Sequence, residues 1–348
     1  MTISKLVTMS NGVKMPIFGL GTWQASVVTS ELYCSTFNNT FFQSSKESVI
    51  SSVKTALNDG YRLIDTAAAY FNEEAIGEAL AETFKEGKIK REDIFITTKC
   101  PPTFLHPQKQ EEAISSSLSK LKLDYVDLYL AHFPCAYGDE LKPEKALHDC
   151  KPEDIWKGFE NLYEKKLTRS IGISNFNIEQ IHRISKSAKI PIHNHQLELH
   201  LYFQQDDVVE VCKKYGITVT AYAPLGSPGR TSYKLSNGFQ PKWPVGPEPL
   251  ENPVVQYLAK KYSKTPAQIL LRYLIQKGIS VIPKSTNAKR IIENHQIFDF
   301  ELDENEMRNL YNVTQQPRLF WQDFLIGHPE DPYKEERGKQ HKNPLHLI

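Results

Sequence analysis

The chain of 348 residues carries 42 Lys and Arg against 41 Asp and Glu, so it has no basic excess to attract a phosphate backbone or an anionic leaflet, and neither nucleic acid nor membrane is an expected partner. Its first ten residues lack the apolar core of a signal peptide and no later apolar run approaches the roughly 20 residues of a spanning helix, so a cytoplasmic protein is expected. Five cysteines (Cys34, Cys100, Cys135, Cys150, Cys212), odd in number and without a CxxC pair, read as free thiols rather than a disulfide framework or a structural zinc site.

In chain order, 5–7 and 13–14 flank Ser10-Asn11-Gly12, a hairpin signal that could plug the bottom of a barrel. Short β-rich runs follow at 17–22, 61–66, 94–99, 126–132, 170–174, 192–197, 217–223 and 279–284. Between most of them lie stretches with helix-period apolar residues, such as Val49, Val53, Ala56 and Leu57, or Ile155, Phe159, Leu162 and Tyr163. Strand and helix alternating to a count of eight predicts an α/β fold of the TIM-barrel type, (β/α)8, with the hairpin at its bottom and long loops at its C-terminal face. One domain over 1–348 is expected, with a core of about 5–315, long polar or Pro-rich segments at 135–153 and 226–252, and a C-terminal loop and tail at 316–348. Gly19-Leu-Gly21-Thr-Trp23-Gln24 starts like a dinucleotide fingerprint but has Gln24 where the third glycine belongs, so an open nucleotide-binding sheet is the weaker reading.

Polar groups end every predicted strand after the first: Asp65, Lys99, His132, Ser174 with Asn175, Gln196, Tyr222 and Lys284. On a parallel barrel these ends converge on one face, and Tyr70 lies on the loop just past Asp65. A tyrosine is a poor proton donor near neutrality unless a cation makes its ionised form cheaper. Lys99 between Asp65 and Tyr70 answers that need: the carboxylate holds the ammonium, the ammonium is expected to lower the Tyr70 pKa, and Tyr70 gives its proton to a carbonyl oxygen that a neutral His132 orients. The protein supplies no nucleophile, so hydride from a bound cofactor is the natural complement. Any one of these residues alone reads as a solvated or capping group; four in register on successive strands do not.

The motifs Gly60-Tyr-Arg-Leu-Ile-Asp-Thr-Ala, Tyr70-Phe-Asn-Glu, Leu128-Tyr-Leu-Ala-His-Phe-Pro134, Ile171-Gly-Ile-Ser-Asn-Phe176, Ala221-Tyr-Ala-Pro-Leu-Gly-Ser-Pro228 and Ile282-Pro-Lys-Ser285 resemble the signatures of the aldo-keto reductases, over about residues 5–315. The resemblance implies a catalytic tetrad of Asp65, Tyr70, Lys99 and His132, with Tyr70 as proton donor; no metal is expected. It also implies a nicotinamide stacked on Tyr222, its carboxamide held by Ser174, Asn175 and Gln196, with Gly21, Thr22, Trp23 and Asp65 as further cofactor contacts. Leu225 and Ser227 resemble the loop that folds over the pyrophosphate. Lys284, Ser285 and Arg290 offer cations and a hydroxyl to an adenosine 2′-phosphate, and Glu293 and Asn294 resemble adenine contacts, so NADPH is preferred over NADH.

The expected partner is a small-molecule carbonyl substrate, met by a monomer. It would contact Trp23, Tyr70, His132 and Phe133, with Tyr137, Phe320, Trp321 and Phe324 read evenly as apolar substrate lining or as packing on the barrel rim. Two other classes compete: a cofactor-binding barrel with little turnover, and a metal-dependent hydrolase built on His193 and His195. Strand alternation weakens the latter, because it sends Asn194 with Gln196 to the inside and both histidines to the helix side. Residues 25–43 interrupt the passage from the first strand to its helix and carry no helical period. They read as an irregular excursion beside the site, a lid, or a translated intron, since Ala25-Ser26 and Phe41-Phe42-Gln43 can be encoded as splice signals and their removal joins Gln24 to Ser44 in frame.

Overall fold

The computed structural model describes residues 6–23, 45–232, 244–316 and 318–340. The predicted insertion at 25–43, much of the 226–252 loop and the last eight residues of the tail lie outside the described residues.

Strands β1 (Leu6–Thr8) and β2 (Lys14–Pro16) pair antiparallel around the predicted turn. Gly12 takes φ +82, a conformation costly for any side chain, and Asn11 reaches the Arg169 carbonyl at 3.0 Å and the Ser170 hydroxyl at 3.1 Å. Met9 and Met15 then pack with Leu63, Phe95, Leu128, Leu130 and Ile282 inside the barrel, which closes its bottom as the sequence suggested.

Eight parallel strands follow in sequence order: β3 (Leu20–Gly21), β4 (Leu63–Asp65), β5 (Phe95–Cys100), β6 (Leu128–Ala131), β7 (Ile171–Ser174), β8 (Asn194–Glu198), β9 (Thr218–Tyr222) and β10 (Ser280–Val281). Each falls on a predicted run, most of them shorter, because ladder pairing stops before the apolar pattern does. Parallel bridges Phe18–Val281 and Gly21–Lys284 join first strand to last and close the barrel. Gly21 is required there: a Cβ would collide with the Ile282 carbonyl oxygen.

Helices α1 (Lys46–Asn58), α2 (Glu73–Lys85), α3 (Pro107–Leu121), α4 (Pro152–Glu164), α5 (Ile178–Ser187), α6 (Asp206–Lys214), α7 (Pro253–Tyr262), α8 (Pro266–Gln276), α9 (Ala288–His295), α10 (Glu304–Tyr311) and α11 (Lys334–Gln340) make up the helical elements. Their starts are chemically marked. The Ser45 hydroxyl caps α1, and Thr265 with Gln268 forms a capping box ahead of Pro266 on α8. Helix α1 buries Val49, Val53, Ala56 and Leu57, and α4 buries Ile155, Phe159 and Leu162, as their spacing required.

The tail is no free loop. From Arg318 to Gln340 it packs on the C-terminal face of the barrel, with the Phe324 carbonyl accepting from Tyr137 at 2.6 Å and the Glu330 carbonyl from Gln180 at 2.9 Å. Arg183 ties Glu330 to Glu153 across α5 and α4. Among the described residues no helix is long and apolar enough to cross a membrane.

Candidate active site

Asp65 is the last residue of β4 and Lys99 an inward-facing residue of β5, so parallel pairing sets the carboxylate and ammonium side by side. The Lys99 ammonium is fully enclosed and donates to Asp65 Oδ1 at 2.7 Å, to the Thr66 carbonyl at 2.8 Å and to the Tyr70 hydroxyl at 3.2 Å. Tyr70 ends a short 3-10 turn, Ala68–Tyr70, which Phe71 terminates at φ +54. Asn72 anchors this turn, accepting from the Thr66 hydroxyl at 2.8 Å and donating to the Thr22 carbonyl at 2.9 Å. His132 follows β6; its ring stacks on Phe133 at 4.9 Å and meets Tyr70 edge-on at 5.8 Å. The four residues predicted to act together are therefore together.

Burial sets the electrostatics. It pushes Lys99 down, but Asp65 and Tyr70 more than offset it, so the ammonium titrates above its ordinary value and stays charged. Burial pushes Asp65 up, opposed by Lys99 and by Gln196, whose Nε2 donates to Asp65 Oδ2 at 2.6 Å. Tyr70 corrects the sequence reading: burial and Asp65 outweigh Lys99, so its pKa is raised, not lowered. The phenol thus keeps its proton in the free protein, and Lys99 counts once the proton has left. Burial, then Lys99, drives His132 well below the usual histidine range, so the imidazole is neutral. Among the described residues its Nδ1 is enclosed without a hydrogen-bond partner, which leaves Nε2 as the nitrogen to meet a ligand.

Ser174 ends β7 and Asn175 follows it, Gln196 lies within β8, which runs two residues further to Glu198, and all three are buried; the half-buried Tyr222 ends β9, edge-on to Phe320 at 5.8 Å. Thr22 is a structural member of this wall, donating from both its backbone and its hydroxyl to the Asp65 carbonyl. After β10, Ser285 Oγ accepts from the Asn287 amide at 3.1 Å and Asn287 caps α9 through the Arg290 amide. Desolvation and the Arg290 guanidinium lower Lys284, and two cations beside a helix N-terminus suit a bound phosphate. Glu293 is half-buried and Asn294 buried on α9. Leu225 and Ser227 lie on a loop with left-handed residues at Ala223, Gly226 and Ser227. Arg230, 3% exposed, braces that loop from beneath through the Gly226 carbonyl at 3.0 Å and the Pro244 carbonyl at 2.6 Å. This donor set fits a phosphorylated dinucleotide.

The aromatic candidates divide. Trp23 is half-buried and edge-on to Phe320 at 5.6 Å, and Phe133 meets Phe324 at 5.2 Å. Tyr137 is fully buried, with its hydroxyl spent on the Phe324 carbonyl, so it docks the tail rather than lining a substrate site. His193 Nδ1 accepts from the Ile171 amide and His195 Nε2 from the Phe176 amide, while His195 Nδ1 faces Cys212 on α6. Asn194 points inward to Thr218 and Thr220, so the two histidines do face the helices. Among the described residues no cluster of His, Cys, Asp and Glu could hold a metal ion.

Sequence reasoning missed Asn72, Glu198, Arg318 and Tyr333. Glu198 carried the signal that found Gln196, a polar residue at a strand end; its buried carboxylate accepts from the Leu319 and Phe320 amides at 2.8 and 3.0 Å. Arg318 and Tyr333 sit in a tail with no strand-end or spacing signal.

A sequence model of the Aldo/keto reductase family matches residues 19–314. Aldo-keto reductase family 1 member A1 of Gallus gallus is 39% identical over 346 residues, covering 94% of this chain and 97% of that protein. Aldose reductase from Schistosoma japonicum superposes with a TM-score of 0.79 at 38% identity, over 95% of this chain and 99% of that one. The Bombyx mori aldo-keto reductase, solved in complex with NADP, gives 0.80 at 34% identity, over 94% and 99%.

Proposed function

The chain belongs to the aldo/keto reductase family, and from that premise we propose that it is a cytosolic, monomeric NADPH-dependent oxidoreductase that reduces aldehydes and ketones to alcohols with Tyr70 as proton donor. The observation that carries this reading is the enclosed Asp65–Lys99–Tyr70 array, with Lys99 2.7 Å from the carboxylate and 3.2 Å from the phenol. Bound NADPH supplies hydride to the carbonyl carbon. Tyr70 gives its proton to the carbonyl oxygen, and the Lys99 ammonium then faces the phenolate left behind. Asp65 keeps Lys99 charged through that step. His132, neutral, donates from Nε2 to the same oxygen and fixes the carbonyl against Tyr70. Lys284, Ser285 and Arg290 would hold the 2′-phosphate, Glu293 and Asn294 would take the adenine, and Ser174, Asn175 and Gln196 would hold the carboxamide beside Tyr222. Trp23, Phe133 and Phe320 favour an apolar carbonyl compound as substrate.

The test is an NADPH-oxidation screen over aldehydes, ketosteroids, quinones and sugars, on this chain and on a version lacking residues 25–43. Turnover by wild type, with kcat lowered roughly 10²- to 10⁴-fold in Tyr70→Phe and cofactor affinity kept, is expected. Full activity of Tyr70→Phe refutes the mechanism. NADPH binding without oxidation by any carbonyl compound favours a cofactor-binding barrel with little turnover.

A further inference from the structure

Asn175 follows β7 in the left-handed region, at φ +65, with its backbone amide bound to the Gln196 carbonyl at 3.1 Å. All four hydrogen-bonding positions of its side chain are taken. Oδ1 accepts from the Tyr222 hydroxyl at 2.8 Å and the Tyr333 hydroxyl at 3.0 Å; Nδ2 donates to the His132 carbonyl at 3.0 Å and to Ser174 Oγ at 3.1 Å. The His132 carbonyl can only accept, so it holds Nδ2 at that end of the amide, and the two hydroxyls then meet Oδ1 as donors and hold the amide plane between them. One of the two donors belongs to the barrel and the other to the C-terminal tail.

The tail holds Tyr333 in place independently of Asn175. The Arg318 guanidinium lies 3.9 Å over the Tyr333 ring and is paired with Glu336 at 2.8 Å. The Tyr333 amide donates to Asp331 Oδ1 at 3.0 Å, and Trp321 packs edge-on to the ring at 6.2 Å. Burial raises both phenols, so each keeps the proton that it donates.

We propose that Tyr333 is a positioning residue of the cofactor site: from the C-terminal tail it holds the Asn175 amide, oriented by the His132 carbonyl, so that Nδ2 is presented to the carboxamide of the bound nicotinamide. This rests on the reading above, in which the carboxamide lies against Ser174, Asn175 and Gln196. The Nδ2 bond to Ser174 Oγ, the longest of its two and made to the adjacent residue, is the one exchanged for the carboxamide oxygen; both bonds to Oδ1 and the bond to the His132 carbonyl persist. The tail is thereby part of the nicotinamide site and not only a cover over it.

The experiment measures dissociation constants of NADP and of 2′-phospho-ADP-ribose, which lacks the nicotinamide, by quenching of intrinsic tryptophan fluorescence on the full chain. Tyr333→Phe keeps the ring and its packing and removes only the hydroxyl. NADP is expected to bind about 5- to 10-fold more weakly, as for the loss of one buried hydrogen bond, and 2′-phospho-ADP-ribose within about two-fold of wild type. In an Asn175→Ala background the same change should cost no further NADP affinity, because Tyr333 acts through Asn175. Equal weakening of both ligands, unchanged NADP binding, or the same loss in both backgrounds overturns the proposal. Should Tyr333→Phe not fold, Tyr222→Phe removes the other donor to the same oxygen and carries the same expectations. If wild type takes up 2′-phospho-ADP-ribose but not NADP, the inference falls with the nicotinamide site; if it binds neither, the cofactor reading itself has failed.

Discussion

Replacing Lys99 by Met leaves the Asp65 carboxylate, 2% exposed, with the Gln196 amide at 2.6 Å as its remaining side-chain donor. Breaking a buried pair from one side costs about 3–5 kcal/mol, since the charge left behind has been stripped of both water and counter-ion. Removing both charges in Lys99→Met with Asp65→Asn takes away that isolated charge. What remains is the Thr66 carbonyl, which loses the Lys99 donor at 2.8 Å, a deficit of about 1–3 kcal/mol. The double variant is therefore expected to be more stable than Lys99→Met, while neither turns over carbonyl compounds. Urea unfolding midpoints at unchanged m, beside NADPH oxidation, measure the two effects separately. The pH dependence adds a signature. Burial already raises the Asp65 carboxyl above its unfolded value of about 3.9, against Lys99 and Gln196; in Lys99→Met it rises further, so the native state binds more protons and the deficit shrinks as pH falls towards the unfolded value. A Lys99→Met variant as stable as wild type, or a double variant no better than the single one, would falsify the ionised Asp65–Lys99 pair.

Because Tyr70 is raised by burial, with Lys99 opposing and Asp65 adding to the rise, the reductive rate should stay flat through neutrality and fall only in alkali, as the phenol loses its proton; a decline beginning near neutral pH contradicts the assignment. Lys284→Met should weaken NADPH by roughly 10-fold and leave NADH nearly unchanged, as a steady-state comparison of the two cofactors would reveal. Burial lowers His193 to about 4, partly offset by the Ile171 amide, and burial with Arg318 lowers His195 to about 3. Both stay neutral in the fold while unfolded histidine takes a proton at about 6.5, so stability is full above that pH and is lost as pH falls through about 4 and then about 3. Unfolding midpoints constant from pH 7 to 4 would contradict this.

The eight strands were legible because parallel strands buried on both faces write themselves as apolar runs, and Asp65, Lys99, His132 and Gln196 because polar residues recur at the ends of successive runs, where any one alone would read as a capping group. The Asp65–Lys99–Tyr70 relation was legible too, since adjacent strands and a short loop leave few other arrangements. Whether Tyr70 lies above or below an ordinary phenol was not: it depends on how much water the fold excludes against one ammonium at 3.2 Å, a balance of two opposing effects that no spacing encodes. The fate of the aromatic residues was equally hidden, and only packing turned Tyr137 into an anchor for Phe324.

Sequence by itself determined the architecture and the identity of the chemical groups, because both follow from local periodicity and from the topology that periodicity forces. Tertiary structure alone decided what the tail does. Tyr333 lies 158 residues from Asn175 and meets it at 3.0 Å only because Glu198, Arg318 and Asp331 dock the chain across the barrel mouth. A contact between elements so distant along the chain is set by packing and by the pairing of buried charges, and leaves no periodic trace in either segment.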